Sequence, residues 1–104
     1  MSLTPVVRVK HDKSETTVLV ELPGCPKDNT NISVRPDIDE YGRRYGLLSV
    51  SSKTGSSVSN KCEYECVIDI NGYSDSDAYE ASMSDGLLEI KITTVTNNKK
   101  IEIK

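Results

Sequence analysis

The stretch Ala81–Ile92 reads Ala-Ser-Met-Ser-Asp-Gly-Leu-Leu-Glu-Ile-Lys-Ile and restricts the chain more than any other segment. Leu88, Ile90 and Ile92 alternate with Glu89 and Lys91, the period of two that sends successive side chains to opposite faces of a strand. Ala81 and Met83 continue the alternation upstream of Asp85-Gly86. That pair suits a tight turn, because glycine accepts positive φ without steric cost. The stretch predicts a β-hairpin with one buried face.

The same alternation recurs along the chain. Pro5 opens a strand at Val6–Lys10, with Val7 and Val9 on one face, and Asp12-Lys13-Ser14-Glu15 is a polar turn. Thr16–Leu22 sets Val18, Val20 and Leu22 against Thr17, Leu19 and Glu21; Leu22-Pro23-Gly24 then ends it, since proline cannot continue a ladder. Asn31–Arg35 predicts a third strand with Ile32 and Val34 inward and Pro36 as its stop. A charged loop over Asp37–Tyr45 follows, and then a strand at Leu47–Ser52. Lys53–Asn60 is Ser/Gly-rich and reads as a flexible connection. In Glu63–Ile70, Tyr64, Cys66, Ile68 and Ile70 share a face, and Val67 is the large apolar residue opposite. After a polar corner at Ser74–Asp77 and the hairpin, Thr93–Asn98 is a polar linker to the terminal Lys-Lys-Ile-Glu-Ile-Lys.

At 104 residues the chain predicts one domain. It has no Trp and no Phe, so its core rests on Val, Ile and Leu, and its Val/Ile/Thr enrichment points to an all-β fold. Net charge is −3 with both signs interspersed, which argues against nucleic acid as a partner. No apolar run approaches the roughly 20 residues of a membrane span, and no signal peptide precedes the first strand. A cytoplasmic setting with no membrane partner is expected. The cysteines, Cys25, Cys62 and Cys66, are odd in number, against a closed disulfide framework. Cys62 and Cys66, four positions apart on one strand, would stand roughly 13 Å apart, too far to bridge. A reducing compartment fits that usage.

The chemistry-bearing residues form no catalytic constellation. His11 is the single histidine, beside a charged turn, and no strained Gly-x-Ser-x-Gly nucleophile turn is present. Three cysteines with this spacing lack a fourth metal ligand, and Cys66 reads as a small core residue. The Asp75/Asp77 pair lacks the glycine and closing glutamate of a calcium loop. No enzyme activity, metal or cofactor is expected.

Ala-x-x-x-Asp-Gly-Leu-Leu-x-Ile-x-Ile resembles the signature of the α-crystallin domain, the core module of small heat-shock proteins. Leu22-Pro23-Gly24 resembles the family's close of an early strand, and Ile101-Glu102-Ile103 its terminal Ile-x-Ile. The family-signature positions here are Leu22, Pro23, Gly24, Ala81, Asp85, Gly86, Leu87 and Leu88. Two departures accompany them: Asn71 replaces a proline after Ile70, and Cys66 stands where the family often has arginine. The resemblance implies an immunoglobulin-like antiparallel β-sandwich of about seven to eight strands, with residues 1–5 as a short lead-in, 6–94 as the domain and 95–104 as a tail. It implies an ATP-independent holdase that binds partly unfolded client proteins and assembles as a homodimer or larger homo-oligomer.

In the family the tail's two aliphatic side chains enter a groove on a neighbouring subunit, so Ile101 and Ile103 are the expected anchor; a last strand within the same domain is the alternative. Groove candidates are Ile32, Val34, Leu88 and Ile90, some of which must face the core instead. The 53–60 connection looks too short and polar for the swapped strand of plant- and bacterial-type members. Dimerisation is therefore expected along the long strand, at Tyr64, Glu65, Cys66 and Val67. The family's apolar N-terminal arm has no counterpart ahead of Val6, so weaker client protection than in a full-length member is expected. A CS-type domain, a monomeric cochaperone or interaction module with the same sandwich, is the runner-up. The short 53–60 connection favours it, and the hairpin signature with Ile-x-Ile disfavours it.

Overall fold

The computed structural model describes residues 2–12, 15–71 and 79–93. Its strands are β1 (Ser2–Leu3), β2 (Val6–Asp12), β3 (Glu15–Glu21), β4 (Asn31–Ile38), β5 (Arg44–Lys53), β6 (Glu63–Asn71), β7 (Tyr79–Ser84) and β8 (Leu87–Thr93), with one 3-10 turn at Lys27–Asn29. They form two four-stranded sheets, β1-β6-β5-β4 and β2-β3-β8-β7. Every pairing is antiparallel except β1 on β6. The chain is an all-β sandwich.

Period-two patterning explains how the layers meet. Val18, Val20, Leu88, Ile90 and Ile92 of one sheet and Leu48, Val50 and Ile70 of the other are buried between them, with Leu22 and Cys25 closing one end. Each such side chain contributes about 1.5–3 kcal/mol by leaving water, and no aromatic ring is needed. Intervening positions face out, as Val67 does at 64% exposure. The β7–β8 hairpin turns at Asp85 and Gly86, both at positive φ (50° and 78°) between the pair Ser84 and Leu87. This is the backbone twist that two-residue hairpins favour.

Two connections differ from the sequence reading. Pro36 does not stop β4: it pairs with Gly46, and pairing continues to Ile38 opposite Arg44. β4 is an outer strand, and a proline on an edge is tolerated where its missing N–H would point away from the partner. The expected loop at Asp37–Tyr45 therefore shrinks to Asp39–Arg43. There the Asp39 carboxylate accepts the Tyr41 and Arg43 backbone N–H groups at 2.9 and 2.8 Å and the Arg43 Nε at 3.0 Å, while the Asp39 N–H donates to the Arg43 carbonyl at 2.9 Å. Secondly, the connection after β5 is pinned rather than free. Thr54 N–H donates to the Cys62 carbonyl at 3.0 Å, and Gly55 N–H to the Gly24 carbonyl at 2.8 Å.

The Arg43 amide above all, helped by the Tyr41 amide and the Arg43 guanidinium, holds the Asp39 carboxyl below its ordinary range, outweighing the opposing effect of desolvation. A carboxyl lowered in this way stabilises the turn at pH above its unfolded value, and that contribution is lost as pH falls through its folded value. The Tyr41 and Arg43 amide resonances are therefore expected to titrate together on the acid side of the ordinary carboxylate range. Asp39→Asn should remove the step; a step at the ordinary carboxylate value in the native chain would contradict the turn geometry.

Candidate functional site

The two sheets leave an opening where β4, the last strand of one, faces β7, the last strand of the other. A cavity of about 160 Å³ lies between them, lined by Lys27, Thr30, Ile32, Ala81, Ser82, Met83 and Leu88. Its apolar surface comes from Ile32 on β4, Ala81 and Met83 on β7, and Leu88 at its base, 2% exposed. Thr30 closes one end: its Oγ1 lies 2.8 Å from Ser52 Oγ, 3.0 Å from the Pro26 carbonyl and 3.5 Å from Met83 Sδ. This hydroxyl ties the β4 side to the β7 side.

The slot's chemistry is that of an edge. Among the described residues, β4 and β7 each have a strand partner on one side only, so each presents unpaired backbone donors and acceptors beside an apolar recess. An extended segment with two aliphatic side chains at alternate positions can enter such a place, pairing its backbone and burying its side chains.

Of the groove candidates, Ile32 and Leu88 line the slot. Val34 lies farther along β4, half-buried against the core, and Ile90 is 0% exposed between the sheets. The reason is position: β8 is paired on both sides by β3 and β7, so only its first inward residue reaches the opening. Lys27, Thr30, Ala81 and Met83 were not singled out for this role. The alternation of Ala81 and Met83 was legible, but the outer placement of β7 is a property of the sheet order. Ile101 and Ile103, like the Ser74–Asp77 corner, lie outside the described residues.

On the opposite flank, β1 pairs with β6 through Ser2–Glu63 and Leu3–Tyr64. Of the dimer-edge candidates, Tyr64 therefore already has a strand beside it, while Glu65, Cys66 and Val67 continue past β1. Val67 and Glu65 face outward, and Cys66 is half-buried inward, where burial pushes its thiol up.

The signature motifs meet each other. Leu22 N–H donates to the Gly86 carbonyl at 2.6 Å, and a Cβ on Gly86 would stand 2.9 Å from the Leu22 carbonyl oxygen. Leu-Pro-Gly and Asp-Gly-Leu-Leu are thus two halves of one backbone contact at the end of the sandwich. A larger depression of about 390 Å³ lies beside it on the outer face, with Leu19 and Leu87 among charged Arg8, Glu21 and Asp85. Its floor is paired strand, with fewer free backbone groups for an extended guest.

Nothing described gathers catalytic groups. His11 is exposed, with Nδ1 3.1 Å from Thr16 Oγ1. Among the described residues there is no group of three or more His, Cys, Asp or Glu able to hold a metal, and no helix long and apolar enough to cross a membrane.

No family model and no curated protein matches the sequence. Solved structures do. Heat shock protein 16.0 from Schizosaccharomyces pombe is similar at 26% identity over 99% of this chain and 77% of that one, with a TM-score of 0.68. HSP18.5 from E. histolytica is 12% identical, covers 98% of each chain and scores 0.67. HspA from Xanthomonas axonopodis is 20% identical over 89% of this chain and 95% of that one, scoring 0.60. Taken with the two motifs that meet at Leu22 and Gly86, these similarities show that the chain has the β-sandwich fold of the small heat-shock proteins, that of the α-crystallin domain.

Proposed function

We propose that the protein is an ATP-independent holdase of the small heat-shock type, working in the cytoplasm with no enzymatic step and no cofactor. The observation that carries this reading is the apolar slot between β4 and β7, each of which has a strand partner on one side only among the described residues. A partly unfolded client exposes extended apolar segments. Such a segment held in the slot is withdrawn from pairing with other unfolded chains, which is how aggregation spreads.

The same slot serves the tail. Ile101 and Ile103 have the alternate spacing of two side chains on one face of a strand, and residues 95–104 act as an arm that seats them in the slot of a neighbouring subunit. Subunits pair along β6 beyond β1, from Glu65 through Val67. Tail and client then compete, and release of the tail exposes the slot.

The test is suppression of heat-induced light scattering of a labile enzyme, without nucleotide. The native chain is expected to lower scattering, and Met83→Asp, which places a charge at the slot wall, is expected to lose most of that effect while keeping its circular dichroism. Full protection by Met83→Asp would remove the slot from the account. No protection by the native chain at any ratio, together with a monomeric mass, would favour the CS-type reading.

A further inference from the structure

Cys25 and Cys62 are far apart in sequence, but both flank one dipeptide, Thr54-Gly55. On one side, Gly55 N–H donates to the carbonyl of Gly24, the residue before Cys25, at 2.8 Å. On the other, Thr54 N–H donates to the Cys62 carbonyl at 3.0 Å, and Cys62 N–H donates to Thr54 Oγ1 at 3.1 Å. Tyr64 joins the group: it packs against the core cluster that contains Cys25. Its phenol is held above its ordinary value first by its hydrogen bond with Cys62, then by burial and by the Cys62 and Cys25 thiols. Cys25 is 5% exposed, with Sγ 3.9 Å from the Pro23 carbonyl, whereas Cys62 is half-buried and within reach of solvent. All three cysteines are free thiols.

We propose that Cys25 and Cys62 form a reversible dithiol–disulfide pair at this end of the sandwich, oxidised by hydrogen peroxide. The more exposed Cys62 reacts first. Its thiolate attacks one peroxide oxygen, the O–O bond breaks, and hydroxide leaves with the thiol's proton as water, giving a Cys62 sulfenic acid. The Cys25 thiolate then attacks the Cys62 sulfur; the S–S bond forms, the S–O bond breaks, and hydroxide leaves with the Cys25 proton as a second water. Two electrons pass from the two sulfurs to the peroxide. Tyr64, whose phenol feels both the Cys62 and the Cys25 thiol, is a positioning residue. Cys66 stands aside: it points inward on β6, four positions beyond Cys62, which precedes the strand, and burial raises its thiol. The product would fix the turn that carries Leu22 and Gly24 to the start of β6.

The experiment exposes the full native chain to hydrogen peroxide, quenches it by alkylation, and cleaves it after glutamate so that Cys62 and Cys66 fall on separate peptides. The expected result is an intact chain lighter by two hydrogens, a peptide joining Cys25 to Cys62, an alkylated Cys66, and reversal by dithiothreitol. Cys66→Ser should leave the link intact and Cys62→Ser should abolish it, both with native circular dichroism. Tyr64→Phe should slow link formation several-fold with unchanged unfolding midpoint. A disulfide between Cys62 and Cys66, links only between chains, or oxidation to sulfinic acid without an internal link would each overturn the proposal.

Discussion

Replacing Gly86 by alanine is expected to destabilise the domain by about 2–4 kcal/mol, whereas the same change at Gly42 should cost only the left-handed penalty of about 1–2 kcal/mol. Both glycines sit at φ 78°, so both carry the left-handed penalty of about 1–2 kcal/mol that a Cβ introduces. They differ in what the Cβ meets. At Gly42 nothing lies within 4 Å; at Gly86 the Leu22 carbonyl oxygen is 2.9 Å away and the Pro23 Cα 3.2 Å. Both neighbours are backbone and cannot swing aside like a side-chain tip. Relief requires the Leu22–Gly86 hydrogen bond of 2.6 Å to lengthen, which loosens the fully buried Leu22 and the join between β3 and the β7–β8 hairpin. Urea unfolding midpoints of the two variants measure the difference. Equal, small shifts would mean that the two motifs do not depend on each other's close approach.

The second large effect concerns assembly. In the proposed arrangement each tail buries two isoleucines on a neighbouring subunit, and truncating one to alanine removes about 1–2 kcal/mol of transfer free energy. The double variant Ile101→Ala, Ile103→Ala should therefore weaken tail-dependent association by about 2–4 kcal/mol, or roughly 30- to 1,000-fold. Size-exclusion chromatography with light scattering should show the native chain as a dimer or larger and the variant shifted to a smaller mass. Pairing through β6 would survive, so a dimer is the expected floor. A native mass that does not change on double substitution would assign the tail to its own domain.

The sequence announced strands better than it announced their company. Alternation at Leu88, Ile90 and Ile92, at Leu48 and Val50, and at Val18 and Val20 was sufficient to place the inward residues of three strands, β8, β5 and β3, because a side-chain period of two survives any sheet order. Pro36 misled because whether a proline ends a strand depends on whether that strand is an edge, and edges are set by pairing across the sheet. Arg44 and Tyr45 likewise joined β5 only because the Asp39 carboxylate tightens the turn before them. Ile90 and Leu88 share a face and a strand, yet one is sealed in the core and the other reaches the slot; only the position of β7 separates them. That Cys25 and Cys62 flank one dipeptide could not be read at all, since Thr54-Gly55 bonds to the Gly24 carbonyl on one side and to the Cys62 backbone on the other. The Leu-Pro-Gly and Asp-Gly-Leu-Leu motifs were legible as words, but that they touch was not.

The claim that the slot between β4 and β7 is the binding site is tested most directly by methyl resonances. The Ile101→Ala, Ile103→Ala chain, labelled at Ile, Leu, Val and Met methyls, would be titrated with a peptide of residues 99–104. The account predicts saturable shifts at Ile32, Met83 and Leu88, with Leu19 and Leu87 on the outer face silent and a peptide with both isoleucines replaced by alanine inert. Binding that shifts Leu19 and Leu87 while Ile32 and Met83 stay fixed, or no binding by the native peptide, would contradict it.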